Sequence, residues 1–124
     1  MQKLLIVEDD RGLSLLFRKR LEMAGYHVIT ASNGVEALEY LDQHTVHLMT
    51  IDLQMPFVMG NEVIRRVREQ AQHATMKIII ITASAEWRKM PHIGLADSVL
   101  IKPVNISDLL QAVQSTLSDV ITPE

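Results

Sequence analysis

The run "IIII", Ile78–Ile81, constrains the fold of this chain more than any other feature. Four β-branched residues in a row show neither polar alternation nor helical spacing. A strand with one wet face would alternate. This one reads as buried on both faces, like a strand inside a parallel sheet. Similar short runs occur at Leu4–Val7, His27–Thr30, His47–Ile51 and Ser98–Ile101, and Lys77–Thr82 frames the isoleucines. Five strands are predicted.

Between these runs the period becomes helical. Leu13, Leu16, Phe17 and Leu21 share one face. So do Val35, Leu38 and Leu41, then Val63, Ile64 and Val67, and finally Ile106, Leu109, Leu110, Val113 and Leu117. Gly25 suits the position just past a helix end. Asn33 with Glu36, and Asn105 with Asp108, have N-cap and N3 spacing. The segment Ser84–Gly94 lacks a comparable stripe, and Pro91 would break a long helix, so a short or irregular fourth helix is predicted there. Short connections and right-handed crossovers then give an α/β fold: a single doubly wound, five-stranded parallel sheet with helices on both faces. The 124 residues suit one domain, with no linker or repeat, and only a few residues ending "TPE" follow the last helix.

The composition removes several function classes. There is no Cys, so thiol catalysis and zinc-thiolate sites are excluded. A net charge of −3 disfavours nonspecific binding to nucleic acid or an anionic membrane. Glu8 interrupts the first apolar run too early for a signal peptide, and no run reaches the roughly 20 apolar residues of a membrane span. A soluble, cytoplasmic protein is expected, with no nucleic-acid or membrane partner.

Ligands of open α/β sheets bind beyond the carboxyl ends of the strands. Glu8, Asp9 and Asp10 follow the first strand, Asp52 the third, Thr82 and Ala83 the fourth, and Lys102 the fifth. This topology brings those ends together. Two like charges about 4 Å apart repel by roughly 4 kcal/mol at an effective dielectric near 20, so a cation is expected among the acids. Hard oxygen ligands suit Mg²⁺, with Mn²⁺ as a substitute. A lysine added to a metal site is useful where a phosphoryl group is received, and a threonine hydroxyl can hydrogen-bond that group. Plainer roles compete. Asp10 reads as the cap of the first helix. Thr82 alone would be an ordinary strand residue, and Lys102 alone an exposed loop lysine. The seven Met residues read as core filler. Arg18–Arg20 reads as a solvated helix face, and His44 with His47 straddles a helix end and a strand start, where no metal is expected.

The motifs "IVEDD", "DLQMP" with Gly60 eight residues after Asp52, "ITA" and "KP" together resemble the receiver domain of two-component response regulators. Asp52 stands 43 residues after Asp9, and Thr82 stands 30 after Asp52, as is typical of that family. The resemblance implies a flavodoxin-like strand order 2-1-3-4-5 and one receiver domain over 1–124 with no output domain. It implies that Asp52 is the phosphoacceptor, taking a phosphoryl group from a histidine kinase or histidine phosphotransfer protein. It implies Mg²⁺ on Glu8, Asp9, Asp52 and the backbone carbonyl of Gln54. Thr82, Ala83 and Lys102 become the phosphate-contacting and switch residues, and the first helix a docking face for the kinase. Such a domain is no enzyme beyond self-catalysed phosphorylation and dephosphorylation; its output is protein–protein contact.

The chain departs from that pattern in places. Val99 stands where the family usually has a switch aromatic. Thr82 to Lys102 spans 20 residues, a short interval, and Phe57 and Met59 replace a common Gly and Asp. The last helix, Ile106–Ser118, has no Lys or Arg, so a salt-bridged dimer is not expected; a monomer or weak dimer is. A degenerate receiver that works without phosphorylation is the alternative. A metal-dependent phosphohydrolase is disfavoured by Gln54, which stands where such an enzyme places an acid. An FMN site is disfavoured by three acids in place of a phosphate loop.

Overall fold

The computed structural model describes residues 1–118; the closing "TPE" lies outside them. Its strands are β1 (Lys3–Val7), β2 (His27–Ala31), β3 (Leu48–Ile51), β4 (Lys77–Thr82) and β5 (Ser98–Ile101). Its α-helices are α1 (Arg11–Met23), α2 (Gly34–Gln43), α3 (Gly60–Arg68) and α4 (Ile106–Leu117). The strands form one parallel sheet in the order β2-β1-β3-β4-β5.

The sheet explains why the apolar runs do not alternate. Successive side chains point to opposite faces. Leu5, Val7, Met49, Ile51, Ile78 and Ile80 join one core with Ala37 and Leu41 of α2 and Val63, Ile64 and Val67 of α3. Leu4, Ile6, Leu48, Ile79 and Ile81 join the other with Phe17 and Leu21 of α1 and Leu109 and Val113 of α4. Each run feeds two cores at once.

The boundary residues act as their types predict. Asp10 accepts the Leu13 N–H at 3.0 Å, Asn33 the Glu36 N–H at 2.9 Å and Asn105 the Asp108 N–H at 2.7 Å. Gly25 follows α1 with φ +102°.

The short, irregular fourth helix expected between β4 and β5 consists of two 3-10 turns, Trp87–Lys89 and Ile93–Leu95. Three expectations need correction. In α1, Leu16 is exposed, since it lies off the Phe17–Leu21 line that meets the sheet. In α2, Ala37 is buried and Val35 exposed, because the four-residue step back from Leu41 reaches Ala37. Met49, Met55 and Met76 are core residues, but Met1, Met23 and Met59 are exposed at an end of the chain, a helix end and a loop. The two histidines are engaged separately. His44 stacks on Tyr40, and the His47 ring accepts the Lys3 N–H at 2.9 Å. Arg18–Arg20 is solvent-exposed, with Arg18 paired to Glu22.

Candidate functional site

Register brings the site together. Val7, Ile51, Ile80 and Val99 lie in one row across β1, β3, β4 and β5. One step further along their strands come Glu8 and Asp52. Thr82 pairs with Ile101, so Lys102 follows immediately, and its N–H donates to the Thr82 carbonyl at 2.9 Å. The residues chosen from strand ends thus converge at one edge of the sheet.

Lys102 Nζ lies 2.8 Å from Asp52 Oδ2 and 2.9 Å from Glu8 Oε1. The other carboxylate oxygens are held by the backbone: Asp52 Oδ1 accepts the Gln54 N–H and Glu8 Oε2 accepts the Asp10 N–H, both at 3.1 Å. Glu8 and Asp52 are buried, whereas Asp9 is exposed. Each of the three offers a carboxylate oxygen, and these atoms all lie within 4.8 Å of one another. Among the described residues no other three His, Asp or Glu residues gather in this way.

Burial pushes the Glu8 carboxyl above its ordinary 4.5, although the Lys102 ammonium and the Asp10 N–H pull the other way. Burial would lower Lys102, but its bonds to Asp52 and Glu8 outweigh that and raise it. When ionised, three carboxylates against one ammonium leave a net charge of −2, with Asp9 on the solvent side. That donor set fits a hard divalent cation.

Gly60, at the start of α3, supports the phosphoacceptor candidate from behind. A Cβ there would lie 2.1 Å from the Asp52 carbonyl oxygen and 2.8 Å from Leu53 Cα. The Gly60 N–H also donates to Leu53 O at 2.9 Å. The loop between them carries Phe57 at φ +72° and 84% exposed, so the residue replacing the usual glycine keeps a glycine-like backbone.

Thr82 is fully buried, and its Oγ1 accepts the Ser84 N–H at 3.2 Å. Ala83 is exposed and lines a cavity of 370 Å³ with Leu13, Phe17, Lys102, Pro103 and Val104. Val99 is half-buried in β5 and packs against the core on the α2/α3 face. Gln54 is exposed. Sequence reasoning passed over Ser84, whose position two residues beyond Thr82 was the available signal. It also passed over Arg68 and Asp97. Arg68 donates to Leu95 O, Met76 O and Asp97 Oδ2, and Asp97 Oδ2 accepts the Ile78 N–H at 2.8 Å. These contacts anchor the segment entering β5.

The family model described as the response regulator receiver domain matches residues 4–114. The transcriptional regulatory protein CpxR of Escherichia coli strain K12 is 34% identical over 118 residues, covering 94% of this chain and 50% of the relative. The chain thus spans about half the length of that regulator. The polar-differentiation response regulator DivK of Brucella anthropi is 30% identical over 120 residues, covering 95% of this chain and 98% of DivK. Among solved structures, the response regulator TrrA from Thermotoga maritima, in complex with Mg²⁺-BeF, matches with a TM-score of 0.84 and 30% identity, covering 94% of this chain and 99% of that one. No helix among the described residues is long and apolar enough to cross a membrane.

Proposed function

The chain belongs to the response regulator receiver family, and from that premise we propose that it is a phosphorylation-controlled switch with Asp52 as its phosphoacceptor. The observation that carries this reading is the buried Asp52 carboxylate, held at 2.8 Å by Lys102 beside Glu8 and Asp9. The donor is a phosphohistidine on a histidine kinase or histidine phosphotransfer protein. An Asp52 oxygen attacks phosphorus, the P–N bond breaks, and the imidazole nitrogen leaves with the electron pair, giving an acyl phosphate.

Glu8, Asp9, Asp52 and the Gln54 carbonyl would hold Mg²⁺, which when bound would supply positive charge against the phosphoryl oxygens. Lys102 already faces the position of the transferred group and neutralises a second oxygen. The Thr82 hydroxyl accepts one N–H and keeps its proton to donate to the phosphoryl group. Ala83 lines a cavity that Lys102 also borders. Output is through contact with another protein in the cytoplasm, and residues 1–118 act as one receiver unit.

The test is incubation with acetyl phosphate and Mg²⁺ followed by intact-mass analysis. A base-labile gain of one phosphate is expected in the wild type and not in Asp52→Asn. An unlabelled wild type refutes the proposal and supports an interaction module that works without phosphorylation.

A further inference from the structure

The amino ends of the strands carry a second polar feature, at the edge of the sheet opposite Asp52. A cavity of 470 Å³ lies there, bordered by Lys3 at the start of β1, His47 just before β3 and Lys77 at the start of β4. That volume is ordinary for a small-ligand site. β1 has five residues, so about 16 Å of strand separates Lys3 from Glu8. The same three strands lead to Glu8, Asp52 and Thr82 at their other ends.

Charge sets this cavity apart. The chain has a net charge of −3, yet no Asp or Glu lines the cavity among the described residues. Among those residues the Lys3 ammonium has no ion pair. Lys77 Nζ has one acid in reach, Asp97 Oδ1 at 4.0 Å, and the other Asp97 oxygen already accepts from Arg68 and the Ile78 N–H. The His47 ring is fixed by its Nδ1, which accepts the Lys3 N–H at 2.9 Å. In the neutral ring Nε2 then carries the proton and is a donor. Thr45 and Thr75 add hydroxyls, and Val46, Met76 and Leu117 supply an apolar wall. A neighbouring cavity that shares Lys77 is different, because it holds both Arg68 and Asp97 and balances its charge within the protein.

These groups select a ligand by its chemistry. Two ammonium groups, an imidazole N–H and two hydroxyls suit a dianion with several acceptor oxygens, which a phosphate monoester has and a carboxylate lacks. The apolar wall gains from burial against an apolar body, which inorganic phosphate lacks. We propose that the cavity at the amino ends of β1, β3 and β4 is a second binding site, for a phosphate monoester with a small apolar body, held by Lys3, Lys77 and His47. None of its residues belongs to the acid cluster, so the site stands apart from the phosphoacceptor reading of Asp52.

The test is a titration of the ¹⁵N-labelled chain with phenyl phosphate, followed by amide chemical shifts. Chelator is present, so no metal draws the probe to the acids. Shifts at Lys3, His47 and Lys77 are expected to move and saturate with a Kd of about 5 mM or tighter, in keeping with a ligand of this size. Those of Asp9 and Gln54 are expected to stay. Lys3→Gln, which removes the charge and keeps the stem, should weaken binding by about 10-fold. Lys89→Gln, at an exposed lysine on the Trp87–Lys89 turn, should bind as the wild type does. Inorganic phosphate and benzoate each lack one half of the ligand, and each should bind at least about 10-fold more weakly than phenyl phosphate. Shifts centred on Asp9 and Gln54, or no saturable shift at Lys3, His47 and Lys77, overturn the site, a readout that needs no variant. Undiminished binding to Lys3→Gln overturns the role of its charge. Inorganic phosphate or benzoate binding as tightly as phenyl phosphate overturns the ligand class.

Discussion

Gly60→Ala is the most exacting substitution for this architecture. The new Cβ would stand 2.1 Å from the Asp52 carbonyl oxygen, 2.8 Å from Leu53 Cα and 2.9 Å from Asp52 C, where ordinary contact begins near 3.4 Å. The overlap exceeds 1 Å, and every opposing atom is backbone. Asp52 and Leu53 are buried, so neither can swing into solvent. Either α3 retreats from the sheet or the end of β3 shifts. Forced overpacking costs about 3 kcal/mol at the top of its usual range. The unfolding entropy of a chain this size is roughly 260 cal/mol/K, so the melting temperature should fall by about 11 °C.

Two other glycines separate contact from conformation. Gly25 has φ +102° and nothing within 4 Å of an added Cβ, so Gly25→Ala carries backbone strain alone, about 1 kcal/mol. Gly94 has neither constraint, and Gly94→Ala should be neutral or more stable by up to about 1 kcal/mol. Where the end of β3 yields, Asp52 moves with it, and acetyl phosphate labelling of Gly60→Ala should also slow by about 100-fold, the cost of a displacement near 1 Å. Thermal melts and timed mass spectra on the three variants decide the matter. If Gly60→Ala melts no lower than Gly25→Ala and labels at the wild-type rate, the close seat of α3 behind Asp52 is not as described.

Phe57→Gly should be at least as stable as Phe57→Ala, reversing the ordinary order, because at φ +72° a side chain costs about 1 kcal/mol that Gly avoids; urea melts in which Ala is clearly the more stable would refute the left-handed loop. Asn105→Ala should lose about 1 kcal/mol with its bond to the Asp108 N–H, and an unchanged urea midpoint would count against that cap. With chelator present, the raised carboxyl of Glu8 means that the folded state holds its proton more tightly than the unfolded state does. Wild-type stability relative to Glu8→Gln should therefore rise as pH falls from the raised value toward 4.5 and level off below it. A flat or opposite difference across a pH series of urea melts would show that Lys102, and not burial, dominates Glu8.

The fold was legible because each apolar run had to serve two cores. A parallel sheet covered on both faces accounts for "IIII", and caps such as Asn33 and Asn105 are set within three residues. The convergence of Glu8, Asp9, Asp52 and Lys102 was legible because they follow the carboxyl ends of strands in one parallel sheet, which all open on the same side. What escaped the sequence depends on partners distant along the chain. Arg68 bonds across 27 residues to Leu95 and 29 to Asp97, and no local pattern announces such a clamp. Gly60 was visible as a spacing, but its reason, contact with the Asp52 carbonyl, belongs to packing. Phe57 hid a left-handed backbone behind a residue type that rarely adopts one. The exposed methionines were misread because flexible apolar side chains at chain ends and loops carry no sign of where they point.

The missing helix and the missing aromatic have a common physical basis. In the segment between β4 and β5, Arg68 and Asp97 fix the end that enters β5, through bonds to Leu95 O and the Ile78 N–H, without any helix. Val99 is already seated in the same core as Trp87, Met90 and Ile93. A valine there has no ring to swing and no polar group to re-pair. The downstream end is therefore stiff, and the upstream end hangs on Thr82 and Ser84.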